Sequence, residues 1–265
     1  MVKPKNNIIM KKSIGFIGGG RITKILLQAF SNKNVKFSDV VVADPNGDVI
    51  SKLKNTYPFI RVDNNSVAAS QEIVFVSLHP PVIMETLELL KKDIRSDATV
   101  ISLAPKINIS KISSKLDHVN KIVRLIPNAT SYINNGYNPV CFSQGFEKGD
   151  KDSVLDLLST LGHTFEVAEE KLESYAIVSA MLPTYFWFQW NYLEEIGIKT
   201  GLSKSESEAA IHQTLVAAIN LMYTSDLTPE EVIDLIPVKP IGEYEAQISE
   251  IYRSKLTTLF EKIKP

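Results

Sequence analysis

Ile14-Gly15-Phe16-Ile17-Gly18-Gly19-Gly20-Arg21-Ile22-Thr23 is the stretch that decides the fold. A short apolar run ends in three glycines and passes directly into a segment with helical spacing. Strand, glycine-rich turn and helix in that order give the context that the dinucleotide fingerprint requires, which a bare glycine-rich turn lacks. Gly18 allows the tight turn and Gly20 lets backbone approach a pyrophosphate. The next helix offers free N–H groups and a positive dipole end. The third fingerprint position, usually Gly or Ala, is Thr23, which is expected to loosen the packing of helix on strand. The turn therefore predicts cofactor contacts at Gly18, Gly19, Gly20, Arg21 and Ile22.

Around this turn the first half of the chain alternates. Strands are expected over residues 13–17, 39–43, 59–62, 73–78, 99–103, 121–126, 139–142 and 164–167, with helices between them over 21–31, 48–56 and 82–92. Most of these strands are continuously apolar, as in sheets covered on both faces. The alternation implies an α/β fold, a Rossmann-type doubly wound parallel sheet. Beyond residue 168 the strand signal stops. Helices are expected over 169–196, 204–224, 229–235 and 242–262. The expected organisation is a dinucleotide-binding domain over 1–167 and an all-helical domain over 168–265. The first long helix carries Ala176-Ile177-Val178-Ser179-Ala180-Met181-Leu182 and then Phe186-Trp187-Phe188-Gln189-Trp190, apolar on every side. Such a helix must be buried on every side. A homodimer through the C-terminal helices meets that need, and a helix wrapped by its own neighbours is the alternative.

Composition narrows the function class. The 265 residues carry 29 basic and 30 acidic side chains, a net charge of −1. A nucleic-acid surface needs a clear basic excess. Hydrophobic residues make up 44%, enough for a folded core rather than a disordered chain. One cysteine, Cys141, permits no intrachain disulfide. The first ten residues hold only three consecutive apolar positions, too few for a signal-peptide core. The greasy stretch from Tyr175 to Trp190 falls short of a membrane span. A cytoplasmic protein without membrane or nucleic-acid partners is expected, and no metal ligand is singled out.

Ligands in this fold bind beyond the carboxyl ends of the strands. The second strand ends at Asp44, whose carboxylate can accept from the adenosine ribose hydroxyls and would repel a 2′-phosphate. Asp44-Pro45-Asn46 also fits a plain turn, and Pro45 can redirect the carboxylate. Further strand ends bring Leu78, His79 and Pro80, then Ala104, then Asn128 to the cofactor, with His79 and Asn128 beside the nicotinamide. His79 also fits an exposed loop, and Asn128 a local side-chain-to-backbone turn.

The order and spacing of these pieces resemble the pyrroline-5-carboxylate reductase family. The glycine turn matches the family's opening, His79-Pro80 stands at its Lys-Pro pair, and Ser102 lies in its Ser-rich turn. Arg124-Leu125-Ile126-Pro127-Asn128 matches its Arg-x-Met-Pro-Asn segment, followed by Gly136. Gly162, Glu170, Glu173, Pro183, Tyr185, Gly197 and Gly201-Leu202 fall where the family has equivalents. Gln213-Thr214 matches a Gln-Thr pair whose threonine lies at the family's substrate pocket. The family's Ser-Gly-Ser-Gly-Pro-Ala-Tyr becomes Ser179-Ala180-Met181-Leu182-Pro183-Thr184-Tyr185 here. Its carboxylate-holding Ser-Pro-Gly-Gly-Thr-Thr loop is replaced by residues 236–243, where Pro237 and Pro240 donate no backbone N–H and Lys239 offers only a point charge.

The resemblance implies an NADPH- or NADH-dependent reductase that reduces the C=N bond of a small cyclic imine, as in proline biosynthesis. Thr214 and Tyr185 would be catalytic, and Ser179, Met181 and Lys239 would bind substrate. Mid-helix back-bonding by Thr214 and plain core packing by Tyr185 are the competing readings. Three rivals stand beside this one. A hydroxyacid dehydrogenase carries a catalytic lysine early in the helical domain, and none lies between Leu172 and Ile198. A non-catalytic dinucleotide-binding regulator would account for the altered pocket. A deazaflavin-using reductase is the third.

Overall fold

The computed structural model describes residues 10–265, so the signal-peptide reading of the N-terminus lies, for residues 1–9, outside the described residues. The chain runs β1 (Ile14–Ile17), α1 (Arg21–Asn32), β2 (Val40–Ala43), α2 (Gly47–Thr56), β3 (Arg61–Val62), α3 (Asn65–Ala69), β4 (Ile73–Val76), α4 (Pro80–Leu90), β5 (Thr99–Ser102), α5 (Ile109–Lys115) and β6 (Lys121–Leu125). A 3-10 turn (Ala129–Ile133) leads to β7 (Gly136–Phe142), α6 (Lys148–Ser159) and β8 (Gly162–Glu166). One eight-stranded sheet has the order β3-β2-β1-β4-β5-β6-β7-β8. The order reverses beside β1, so the β1–β4 boundary is the topological switch point where this architecture opens a crevice.

The apolar strands are buried on both faces for a simple reason. Phe16, Val42 and Phe75 point into one core with Phe30 of α1, and the Phe16 and Phe75 rings stack 4.8 Å apart. Their neighbours Ile17, Val41 and Val74 point into the other, with Ile83 and Leu87 of α4. A side-chain period of two places adjacent residues on opposite faces, so a sheet with helices on both sides needs apolar residues at every position. The expectation of an α/β doubly wound sheet is borne out. One strand departs from it: β7 runs antiparallel to β6, while the other neighbouring strands are parallel. A parallel return needs a crossover of a dozen or more residues. The link from Leu125 to Gly136 holds only the 3-10 turn.

The chain divides into two compact units, Met1–Ala180 with Phe260–Pro265, and Met181–Leu259. This division lies beyond the 167/168 boundary read from the sequence. After β8 come a 3-10 turn (Glu169–Lys171), α7 (Leu172–Tyr175) and a π-helical turn (Ala176–Ala180), in which Leu172, Glu173, Ala176 and Ile177 are buried. Those residues belong to the first unit. The single helix expected over 169–196 is accordingly interrupted. It restarts as α8 (Leu182–Lys199), with Pro183 in the first turn. Proline lacks the N–H that an interior helical position must donate and is accepted only there.

The second unit continues with α9 (Lys204–Thr224), α10 (Pro229–Asp234), a 3-10 turn (Gly242–Tyr244) and α11 (Glu245–Ile263). Ser203 with Glu206, and Thr228 with Glu231, form complete capping boxes that start α9 and α10. Among the described residues of this unit only Ser207 is buried. No residue of α8 is buried within the chain, so its own neighbours do not wrap it. No helix of the described residues is long and apolar enough to cross a membrane.

Candidate dinucleotide site

The glycine turn is built from three separate constraints. Gly18 has φ +101°, and a Cβ there would fall 2.6 Å from the Ser77 carbonyl oxygen, so only glycine fits. Thr23 is fully buried, and its hydroxyl donates to the Gly18 carbonyl at 2.6 Å. The residue expected to loosen the turn therefore ties it to α1. The close helix-strand approach occurs instead at Gly15, where a Cβ would lie 1.9 Å from the Ala68 carbonyl of α3. Gly20 begins α1 with no side-chain cap, no acidic residue follows in the first turn, and a Cβ at Gly20 would meet nothing within 4 Å. The free amides of α1 thus open into space.

That space is a crevice of about 500 Å³ at the carboxyl ends of β1, β4 and β5. Gly20, Arg21 and Ile22 form one wall, Leu78, His79 and Pro80 a second, and Leu103, Ala104, Pro105 and Pro127 close it. His79 begins α4 without using its side chain as a cap and is exposed. Ser77 also lines the crevice, and its hydroxyl is buried without a hydrogen-bond partner. An unsatisfied buried hydroxyl is costly unless a bound group supplies its partner. Uncapped helix amides, an open Gly20 cradle and an unpartnered hydroxyl fit a dinucleotide. The sequence reading did not single out Ser77, Leu103 or Pro127; the strand-end rule alone would have found them.

Asp44 is tied to the glycine turn. One carboxylate oxygen accepts the Gly19 N–H at 2.7 Å, and the other accepts the Asn46 N–H at 2.8 Å. Pro45 is exposed beside it, and Asn46 caps α2 through its own side chain. The half-buried carboxylate therefore braces the glycine turn.

Asn128 is buried and fully engaged within the protein. Its side-chain oxygen accepts from the Thr130 N–H (3.0 Å) and hydroxyl (2.8 Å), and its amide donates to the Ser179 hydroxyl (3.2 Å) and carbonyl (3.3 Å). The structure thus brings two expected site residues, Asn128 and Ser179, into direct contact.

Expected residues of the second unit lie on separate elements. Met181 is the first cap of α8, and its carbonyl accepts from Thr184. Tyr185 follows in the first turns of α8, half-buried, with its ring 6.1 Å from that of Tyr252. Burial raises its hydroxyl pKa above the ordinary value, with Tyr252 adding to the effect. Thr214 lies exposed on α9, and Lys239 lies exposed in the loop after α10.

One cluster escaped the sequence reading. Arg124, fully buried in β6, bonds Glu173 at 2.5 Å and Glu169 at 3.0 Å. The signal was present: an arginine inside the apolar run Ile122-Val123-Arg124-Leu125-Ile126 needs an ionic partner.

Comparison with known proteins places this geometry among relatives. Residues 13–106 match the family model described as NADP oxidoreductase, coenzyme F420-dependent. A pyrroline-5-carboxylate reductase of Corynebacterium melassecola is 25% identical over 252 residues, covering 94% of this chain and 93% of its own. Among solved structures, the Plasmodium falciparum pyrroline carboxylate reductase with NADP bound gives a TM-score of 0.74 at 22% identity, covering 98% of this chain and 94% of that one. The 1-pyrroline-5-carboxylate reductase of Streptococcus pyogenes gives 0.71 at 18% identity, with 96% of each chain covered. The resemblance read from the motifs is therefore borne out: over nearly its whole length this chain is similar in sequence and fold to the pyrroline-5-carboxylate reductases.

Proposed function

We propose that this protein is an NAD(P)H-dependent oxidoreductase of the pyrroline-5-carboxylate reductase type, reducing the C=N bond of a small cyclic imine. The observation that carries this reading is the Gly18–Gly20 turn opening onto a crevice with uncapped helix amides and the unpartnered Ser77 hydroxyl. Full-length likeness to reductases of that name supports it. A bound nicotinamide supplies the hydride.

The chain's own residues then bind, orient and protonate. The turn and the start of α1, with Gly18, Gly19, Gly20, Arg21 and Ile22, hold the pyrophosphate, while Asp44 and Pro45 border the adenosine ribose. Leu78, His79, Pro80 and Ala104 flank the nicotinamide half, and Asn128 fixes Ser179. Thr214 hydrogen-bonds the imine nitrogen, and Tyr185, kept protonated by its raised pKa, donates a proton. Met181 contacts the substrate ring, and Lys239 attracts its carboxylate. A cyclic imine positioned this way needs orientation more than acid–base machinery. The protein works in the cytoplasm as a homodimer through its C-terminal helices.

Purified protein with pyrroline-5-carboxylate and either reduced nicotinamide tests the reading directly. Oxidation of the cofactor is expected. Tight cofactor binding with no turnover on any cyclic imine would favour a regulatory dinucleotide binder. The replaced loop at Pro237 and Pro240 is the feature behind that second reading. Asp44→Ser is expected to raise NADPH use relative to NADH, and an unchanged ratio would remove Asp44 from ribose selection.

A further inference from the structure

We propose that Glu173 is a positioning residue that holds one wall of the crevice in its binding-competent shape. The inference rests on the reading of that crevice as a dinucleotide site.

Glu173 is buried, and the oxygen that meets Arg124 also accepts the backbone N–H of Lys106 at 3.3 Å. Glu169 repeats the arrangement: the oxygen bonded to Arg124 accepts the Ile109 N–H at 2.7 Å. One buried guanidinium thus carries two carboxylates; Glu173 reaches back to the loop between β5 and α5, and Glu169 to the first residue of α5. That loop contains Ala104 and Pro105, which line the crevice.

Lys106 has φ +74°, a left-handed conformation that costs a residue with a Cβ about 1–2 kcal/mol. Its side chain is exposed, so the backbone and not the ammonium group is what the carboxylate holds. Pro105 has no N–H to anchor the wall itself, which leaves the Lys106 N–H as the tie immediately after it. A buried ion pair is a poor source of stability compared with apolar packing and is better suited to fixing one arrangement. Here it fixes a strained kink directly beside the ligand wall. The wall lies at β5, away from the β2 end where the adenosine ribose binds. The half of the dinucleotide that depends on it is therefore the nicotinamide half.

The test separates positioning from plain structural support. Calorimetric affinities for NADPH, NADH and ADP are measured on the wild-type protein, Glu173→Gln and Glu169→Gln. ADP carries the part that meets the glycine turn and omits the part that meets the wall. Glu173→Gln keeps size and an acceptor oxygen, and leaves Arg124 paired with Glu169. Glu169→Gln alters the more exposed partner should the first variant fold poorly. The expected result is a loss of about tenfold in affinity for the reduced dinucleotides with ADP changed less than about twofold. Equal losses for dinucleotide and ADP, or no loss in either folded variant, would overturn the proposal. Wild-type protein that binds ADP and dinucleotide nowhere would overturn the crevice reading and this inference with it.

Discussion

Gly18 and Gly20 lie two residues apart in one turn, yet a methyl group at each has a different consequence. At Gly18 it meets the Ser77 backbone oxygen and must adopt a left-handed φ. Gly18→Ala is expected to destabilise the fold by about 2–3 kcal/mol, read as a drop in the thermal midpoint. At Gly20 it meets no protein atom within 4 Å, and on the proposed reading it projects toward the pyrophosphate. Gly20→Ala is expected to change stability by no more than about 1 kcal/mol while weakening NADPH binding at least about tenfold. A variant that binds normally would show that the turn does not face the cofactor. Cys141 gives a second residue-level prediction. Burial pushes its thiol up to about 12, with Glu169 contributing. The folded state thus favours the neutral thiol. That stabilisation is complete below the ordinary value of 9.0 and is lost as pH climbs toward 12. A thiol reagent at pH 8 finds about one thiolate in ten thousand, so labelling should track global unfolding. These residues also mark what the sequence could convey. The glycines were legible as a turn because sterics act locally, whereas Thr23, expected to loosen the turn, ties it through a hydrogen bond to the Gly18 carbonyl. The Gly19 and Asn46 amides on Asp44 were not legible, because both partners are backbone atoms with no letter of their own.

At the scale of elements, continuous apolar runs were enough to locate β1, β2, β4, β5 and β6, because a sheet covered on both faces imposes them; the exposed β3 and the mixed β8 carry no such run. Two connections were not legible. The 3-10 link that turns β7 antiparallel has no distinctive composition. The π-helical turn at Ala176–Ala180 lies in a stretch that reads as one helix, and only Pro183 hinted at a new start. The β5–α5 loop belongs to this scale as well, since its left-handed Lys106 is ordinary in sequence and strained in structure. Lys106→Gly relieves the strain and gives up some chain entropy in exchange. It should raise stability by about 0.5–1 kcal/mol. The Glu173 acceptor needs only the N–H, which glycine keeps, so dinucleotide affinity should be unchanged. A fall in thermal midpoint for Lys106→Gly would show that the side chain stabilises the loop more than the left-handed backbone costs.

The two units differ in how each keeps its apolar residues from water. The sheet-bearing unit has two cores, one on each face of the sheet. The helical unit buries a single residue, Ser207, while Phe188 is 68% exposed and Tyr223 81%. Trp187, Tyr192, Val216 and Ile219 are open as well. Apolar exposure of that extent is characteristic of an association surface, and helices without a core cannot repay their ordering entropy alone. A second copy of the chain offers the same helices by two-fold symmetry, the commonest way such a surface closes. Light scattering at micromolar concentration should then give twice the 29.5 kDa chain mass. The thermal midpoint should rise with protein concentration, because dissociation and unfolding are linked. A charge at the exposed centre of α8, as in Phe188→Glu, should lower the mass toward one chain and remove the concentration dependence. A wild-type monomer with a concentration-independent midpoint would mean that the greasy α8 is covered by something other than its own copy.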